Sequence, residues 1–126
     1  MSSIKTRVVL AEDNEVVRKG IRRLLNKAVD IEVIGEAKDG VEALRLVNEL
    51  SPDVLLLDVE MPQLNGIDVA RRIMKTLKDV SILVLSAYND KQYIQGMLEN
   101  GVTGYITKDE APPKLLKKLR QVATRK

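Results

Sequence analysis

Pro52-Asp53-Val54-Leu55-Leu56-Leu57-Asp58 is the stretch that decides the fold. Val54 to Leu57 is apolar at every position and is bracketed by aspartates. A strand with one wet face alternates apolar and polar residues, whereas a strand covered on both faces does not. Ile82-Leu83-Val84-Leu85, within Ser81–Leu85, reads the same way. Such strands belong to parallel sheets, whose crossover connections lay helices over both faces.

Three more short runs, Arg7–Ala11, Ile31–Ala37 and Gly104–Thr107, complete a set of strands. Amphipathic stretches separate them. From Val17, apolar Ile21, Leu24, Leu25 and Ala28 recur at helical spacing behind Asn14, a plausible N-cap. Val41, Leu44, Val47 and Leu50 form a second stripe, which stops before Ser51-Pro52. Ile67, Ala70, Ile73, Met74 and Leu77 form a third. Tyr93, Ile94, Met97 and Leu98 form a fourth, closed by Asn100-Gly101. Leu115, Leu116, Leu119 and Val122 form a fifth, with Pro112 and Pro113 near its start. All these apolar side chains are expected in the core. The order is strand–helix repeated five times, which predicts an α/β fold with a doubly wound, five-stranded parallel sheet and right-handed crossovers.

The chain of 126 residues suits a single domain, residues 1–126, with no linker, repeat or low-complexity segment. At 44% hydrophobic and 31% charged residues it is globular rather than disordered. No apolar run approaches the roughly 20 residues that span a bilayer, and Met1-Ser2-Ser3-Ile4-Lys5 opens no secretory signal. A cytoplasmic home and no membrane partner are expected. Cysteine and histidine are both absent. Disulfides, thiolate metal sites and imidazole catalysis are therefore excluded, and any site chemistry rests on carboxylates, lysines, hydroxyls and backbone groups. The net charge of +3 is uneven: residues 108–126 hold seven Lys/Arg against two Asp/Glu, so the rest sums to −2. Such a basic tail can touch nucleic acid or an acidic partner, but it is read first as a solvated helix face.

Ligands of open α/β sheets bind outside the carboxyl ends of the strands. Glu12 and Asp13 follow the first run, Asp58 the third, Ser86 the fourth and Lys108 the fifth. The second ends in Gly35-Glu36-Ala37-Lys38, to which no site role falls. Crowded carboxylates raise one another's pKa and need a compensating cation. An all-oxygen set without Cys or His favours a hard divalent ion, Mg²⁺ or Mn²⁺. A carboxylate beside such an ion and a lysine can attack a phosphoryl centre and form an acyl phosphate. Asp58 is then the nucleophile, Asp13 and Glu12 surround the metal, Ser86 binds the phosphoryl group and Lys108 supplies counter-charge.

These pieces, in this order, resemble the receiver domains of response regulators, the chemotaxis-regulator-like family with a flavodoxin-like fold. The likeness covers roughly residues 5–124. It rests on Val8-Val9-Leu10-Ala11-Glu12-Asp13-Asn14, on Pro52 to Pro62, on Asn65-Gly66, on Leu85-Ser86-Ala87 and on Gly101 to Lys108. The resemblance implies that Asp58 is the phosphoacceptor and that Asp13 and Asp58 ligate Mg²⁺. It implies that Glu12 acts through a bound water and that the backbone carbonyl of Glu60 completes the protein ligands. It gives Ser86 and Lys108 to the phosphoryl group and makes Tyr105 the aromatic switch that turns inward with Ser86. It implies a sensor histidine kinase as partner, a possible homodimer on phosphorylation, and slow autohydrolysis.

Four features of the site and its surroundings are particular to this sequence. Asp109 stands where many relatives have proline, and a cis bond without proline costs several kcal/mol, so the sequence leaves the Lys108–Asp109 loop geometry open. Ser86 is an accepted variant of threonine. Glu60 adds a carboxylate beside the site, and Tyr88 is bulky enough to shade the phosphoryl group from water. The stretch Lys108 to Pro113 resembles receivers that precede a helix-turn-helix domain, so transcription control through a missing DNA-binding domain is expected. The alternative is a stand-alone receiver acting by protein–protein interaction. Residues 1–126 hold no recognition helix for DNA. Other classes fit less well. An aspartyl-phosphate hydrolase would need an acid/base aspartate where Glu60 stands. A nucleotide or flavin module would need a phosphate loop in place of acidic Glu12-Asp13-Asn14-Glu15. A receiver without phosphorylation would not need the full set of site residues.

Overall fold

The computed structural model describes residues 5–61, 66–76, 79–86, 91–99 and 101–123. Strands β1 (Thr6–Ala11), β2 (Ile31–Ala37), β3 (Val54–Asp58), β4 (Ser81–Ser86) and β5 (Gly104–Thr107) alternate with helices α1 (Glu15–Asn26), α2 (Gly40–Leu50), α3 (Gly66–Thr76), α4 (Lys91–Glu99) and α5 (Ala111–Ala123). The strands form one sheet in the order β2-β1-β3-β4-β5. Every pairing is parallel. The fold expected from the strand–helix alternation is the fold observed.

Why Val54–Leu57 of β3 and Ile82–Leu85 of β4 are apolar at every position is plain from the layers. Leu55, Leu57, Ile82 and Val84 pack with Ala43 and Val47 of α2, Val69, Ala70 and Ile73 of α3, and Met97 of α4. Val54, Leu56, Leu83 and Leu85 face the other way, against Ile21 and Leu25 of α1 and Leu115, Leu119 and Val122 of α5. Alternate residues of one strand thus serve two cores. The strands cannot slip by one residue without exchanging every contact on both faces.

Two expected core residues lie outside the core. Val41 is 58% exposed and Leu98 is 39% exposed. In α2 the buried residues are Gly40, Ala43 and Val47, so small residues face the sheet and the larger ones flank it. The approach there is close: a Cβ on Gly35 of β2 would come within 3.0 Å of the Leu50 side chain. In α3, Val69 is fully buried, although it was not part of the expected stripe. The side chains of Ile67, Met74, Leu77, Tyr93 and Ile94, and residues Asn65, Tyr88 and Asn100, lie outside the described residues.

The helix ends follow local chemistry. Asn14 caps α1, its side chain accepting from the Val17 N–H at 3.1 Å, and Asp39 caps α2 in the same way from Glu42 at 2.8 Å. Gly101, at φ 97°, turns the chain out of α4. The C-terminus of α2 is held from β1. The Arg7 guanidinium donates to the carbonyls of Leu50 at 2.9 Å and Ser51 at 3.0 Å. Cationic donors suit the carbonyl end of a helix. Ser51 itself is left-handed, at φ 46° and ψ 60°.

A β-branched residue tolerates that conformation poorly, and the strain is on the order of 1–2 kcal/mol. Ser51→Val is therefore expected to lower the urea midpoint by roughly that free energy, and Ser51→Gly to leave it unchanged or raise it. Equal midpoints for the two variants would contradict the Ser51 geometry.

Candidate functional site

The strand order decides which side chains meet. β1 and β3 are neighbours at the middle of the sheet, and the chain leaves β1 toward opposite edges, first to β2 and later to β3. The crevice of a doubly wound sheet opens at such a reversal. Asp58 ends β3, and Glu12 and Asp13 form the turn after β1. One carboxylate oxygen from each of these three residues lies within 4.8 Å of the other two. Glu12 is fully buried and Asp58 is 1% exposed, whereas Asp13 is exposed.

Lys108, just past β5, reaches across this cluster. Its Nζ lies 3.3 Å from Asp58 Oδ2, which it also hydrogen-bonds, and 3.3 Å from Glu12 Oε1. The backbone holds it there: the Lys108 N–H donates to the Ser86 carbonyl at 2.8 Å, tying the ends of β4 and β5 together. Among the described residues no peptide bond is cis, so the Lys108–Asp109 link is trans. The second Asp58 oxygen, Oδ1, accepts from the Glu60 N–H at 2.9 Å. The exposed Glu60 carboxylate is not one of the three that converge.

The charges do not balance. Among the described residues one lysine pairs with two carboxylates of a cluster of three. Burial pushes the Glu12 carboxyl up from its ordinary value to about 7, and the neighbouring Asp58 carboxylate adds to the rise. Burial works against the Lys108 charge, but attraction to Asp58 and Glu12 outweighs it and holds its pKa above the ordinary lysine value. Glu12 Oε1 is buried and has no partner in hydrogen-bonding geometry, the Lys108 ammonium being beside it as an ion pair only. An orphaned carboxylate oxygen, a surplus of negative charge and an all-oxygen donor set fit a hard divalent cation.

The remaining expected residues lie on the two strands beyond β3. Ser86 ends β4, buried at 3% exposure, at the same edge of the sheet. Tyr105 lies on β5 with its side chain partly outside, at 36% exposure. Ser86 is in register with Thr107, two residues beyond Tyr105. Tyr88, expected to shade the site, lies outside the described residues.

Two residues at the site's border carry no signal in a reading of strand ends. The end of β2, to which no site role fell, is tied to the acidic turn: the Glu12 N–H donates to the Ala37 carbonyl at 3.0 Å. Arg18 of α1 is 8% exposed and donates from Nη1 to the Glu12 carbonyl at 2.9 Å. Its Nε pairs with Glu36 Oε1 at 3.3 Å, and Arg22 takes the other Glu36 oxygen at 2.9 Å. Arg18 shares the face of Ile21 and Leu25, the buried residues of α1. An arginine at that spacing on an apolar stripe was the available clue.

Fold and pocket together define a doubly wound α/β module with an acidic, lysine-bridged site at its switch point. The chain matches the model of the response regulator receiver domain over residues 8–120, and it belongs to that family, the receivers of two-component response regulators. It is 40% identical over 116 residues to the uncharacterized transcriptional regulatory protein YhcZ of Bacillus subtilis, covering 92% of this chain and 54% of that protein. It is 34% identical to the transcriptional regulatory protein DegU of Brevibacillus brevis, covering 94% and 50% respectively. The chain thus spans about half the length of these curated relatives. Its structure is similar to the signal receiver domain of the putative response regulator NarL from Mycobacterium tuberculosis, with a TM-score of 0.93, 32% identity, and coverage of 98% and 99%. Among the described residues no helix is long and apolar enough to cross a membrane.

Repulsion within the cluster predicts that Asp13→Asn stabilises the metal-free protein. The gain should stay below about 1 kcal/mol, because Asp13 is exposed and water screens it. Urea denaturation in EDTA measures it. A loss of stability would mean that the Asp13 carboxylate has a favourable partner stronger than the repulsion.

Proposed function

We propose that this domain is a phosphorylation switch in which Asp58 accepts a phosphoryl group from a sensor histidine kinase or a small phosphodonor. The observation that carries this reading is the fixed position of Asp58. One of its oxygens is bound by the Glu60 N–H and the other by Lys108, inside a cluster of three carboxylates.

Mg²⁺ is the cofactor this donor set favours, held by Asp13, Asp58 and Glu12 together with the Glu60 backbone carbonyl. Bound there, the ion would neutralise charge on the phosphoryl oxygens and on the acidic cluster. The side chains do the rest. An Asp58 oxygen attacks phosphorus. The P–N bond of a phosphohistidine, or the P–O bond of acetyl phosphate, breaks, and its electron pair leaves with the imidazole nitrogen or the acetate oxygen. Lys108 keeps an ammonium against the transferred group, and Ser86 donates a hydroxyl hydrogen bond to one of its oxygens. Drawing Ser86 toward that oxygen vacates space beside β5, and Tyr105 turns inward to fill it. The output is a shift in the population of two surface conformations around α4 and β5. No turnover of an external substrate follows from this chemistry, so the domain acts as a signalling module rather than an enzyme.

The transcriptional regulators among the relatives support a role in transcription control. DNA would be bound through a domain outside residues 1–126, with a homodimer on phosphorylation and a cytoplasmic location.

Intact mass after incubation with acetyl phosphate and Mg²⁺ tests the reading. One phosphoryl group should be gained by the wild type, and none by Asp58→Asn or in EDTA. A folded wild type that gains nothing, and binds no beryllofluoride, would overturn it.

A further inference from the structure

We infer that Arg18 is a positioning residue of the divalent-cation site: it holds the peptide that joins Glu12 to Asp13 in the orientation that lets both carboxylates converge on Asp58. The inference rests on the cation-site reading above and goes beyond it.

The side-chain bonds of Arg18 go to Glu12 and Glu36 and not to Asp13 or Asp58. Its Nη1 donates to the Glu12 carbonyl at 2.9 Å. That carbonyl belongs to the one peptide unit between the two acidic residues of the turn. Because the unit is planar, its tilt sets ψ of Glu12 and φ of Asp13 together. The other side of the turn is already fixed, by the Glu12 N–H on the Ala37 carbonyl at 3.0 Å and the Asn14 N–H on Glu12 Oε2 at 3.1 Å. Arg18 supplies the missing restraint from α1.

Arg18 is itself held. It is 8% exposed, and its Nε meets Glu36 Oε1 at 3.3 Å. Glu36 is steadied in turn by Arg22 at 2.9 Å. The guanidinium is a rigid fork, so fixing Nε on β2 aims Nη1 at the turn. A lysine offers a point charge on a flexible stem and cannot hold both partners in that fixed relation. Residues that orient ligands from outside the ligand set typically change metal affinity 10–100-fold when removed.

Positioning and plain electrostatics predict opposite signs. Arg18 is a cation near a cation site. If charge alone mattered, removing it would tighten Mg²⁺ binding. If positioning matters, removing it weakens Mg²⁺ binding despite the more negative surroundings.

The test is titration calorimetry with Mg²⁺ on wild type, Arg18→Met and Glu36→Gln, each shown to be folded by circular dichroism. Arg18→Met keeps the apolar stem and deletes the fork. The inference expects its Mg²⁺ Kd to rise by on the order of tenfold. Glu36→Gln should shift Kd the same way by less. The Mg²⁺ concentration for half-maximal phosphorylation by acetyl phosphate should rise in step, with the rate at saturating Mg²⁺ largely kept. An unchanged or lower Kd in Arg18→Met overturns the inference, as does a loss of rate that saturating Mg²⁺ does not restore. Should Arg18→Met fail to fold, an unchanged Kd in Glu36→Gln overturns it. Wild type that binds no Mg²⁺ would instead overturn the cation-site reading itself.

Discussion

Three carboxylates forced together against one lysine are the constraint around which the rest of this domain is arranged. Left to themselves, Glu12, Asp13 and Asp58 would move apart into water. They are held within 4.8 Å by a sheet whose strands have no freedom to retreat. Both faces of β1, β3 and β4 are apolar and covered, so the register of Asp58 against the β1 turn is locked by packing on two sides. The strong hydrophobic layers offset a repulsion that the site cannot relieve by itself.

Burial sharpens that repulsion and makes it useful. With Glu12 buried and driven up to about 7, the pocket favours anything that supplies positive charge. Lys108 supplies part of it, reaching in from the end of β5, which is itself tied to Ser86 of β4 by the Lys108 N–H. The acidic pocket and the edge strand are therefore mechanically continuous. A change at Ser86 has a short path to β5, where Tyr105 already stands partly outside the core. Strain kept at a functional site and compensated by the surrounding core is a common arrangement in folded proteins.

Much of this was legible in the order of residues. The strands could be read to within a residue, because apolar runs of that length and composition have few other uses. Asn14 as a cap, the stop before Ser51-Pro52 and the turn at Gly101 follow from side-chain and backbone chemistry within a few residues. Val41 and Leu98 were misplaced, because a helical stripe is wide enough to admit more than one inward face. Which face wins in α2 depends on how near the sheet lies, and Gly40 and Ala43 let it come close.

By itself the sequence determined the elements, the class of fold and the kinds of group at the strand ends, since these depend on period, length and local sterics. Only the tertiary structure decided that Glu12, Asp13 and Asp58 meet while Glu36, equally acidic and equally near a strand end, faces Arg18 and Arg22 instead. The reason is strand order. β3 lies beside β1 on the side away from β2, and the helices pack around that choice. Contacts across 46 residues, such as Glu12 with Asp58, are set by which strands are neighbours and leave no local trace in the chain.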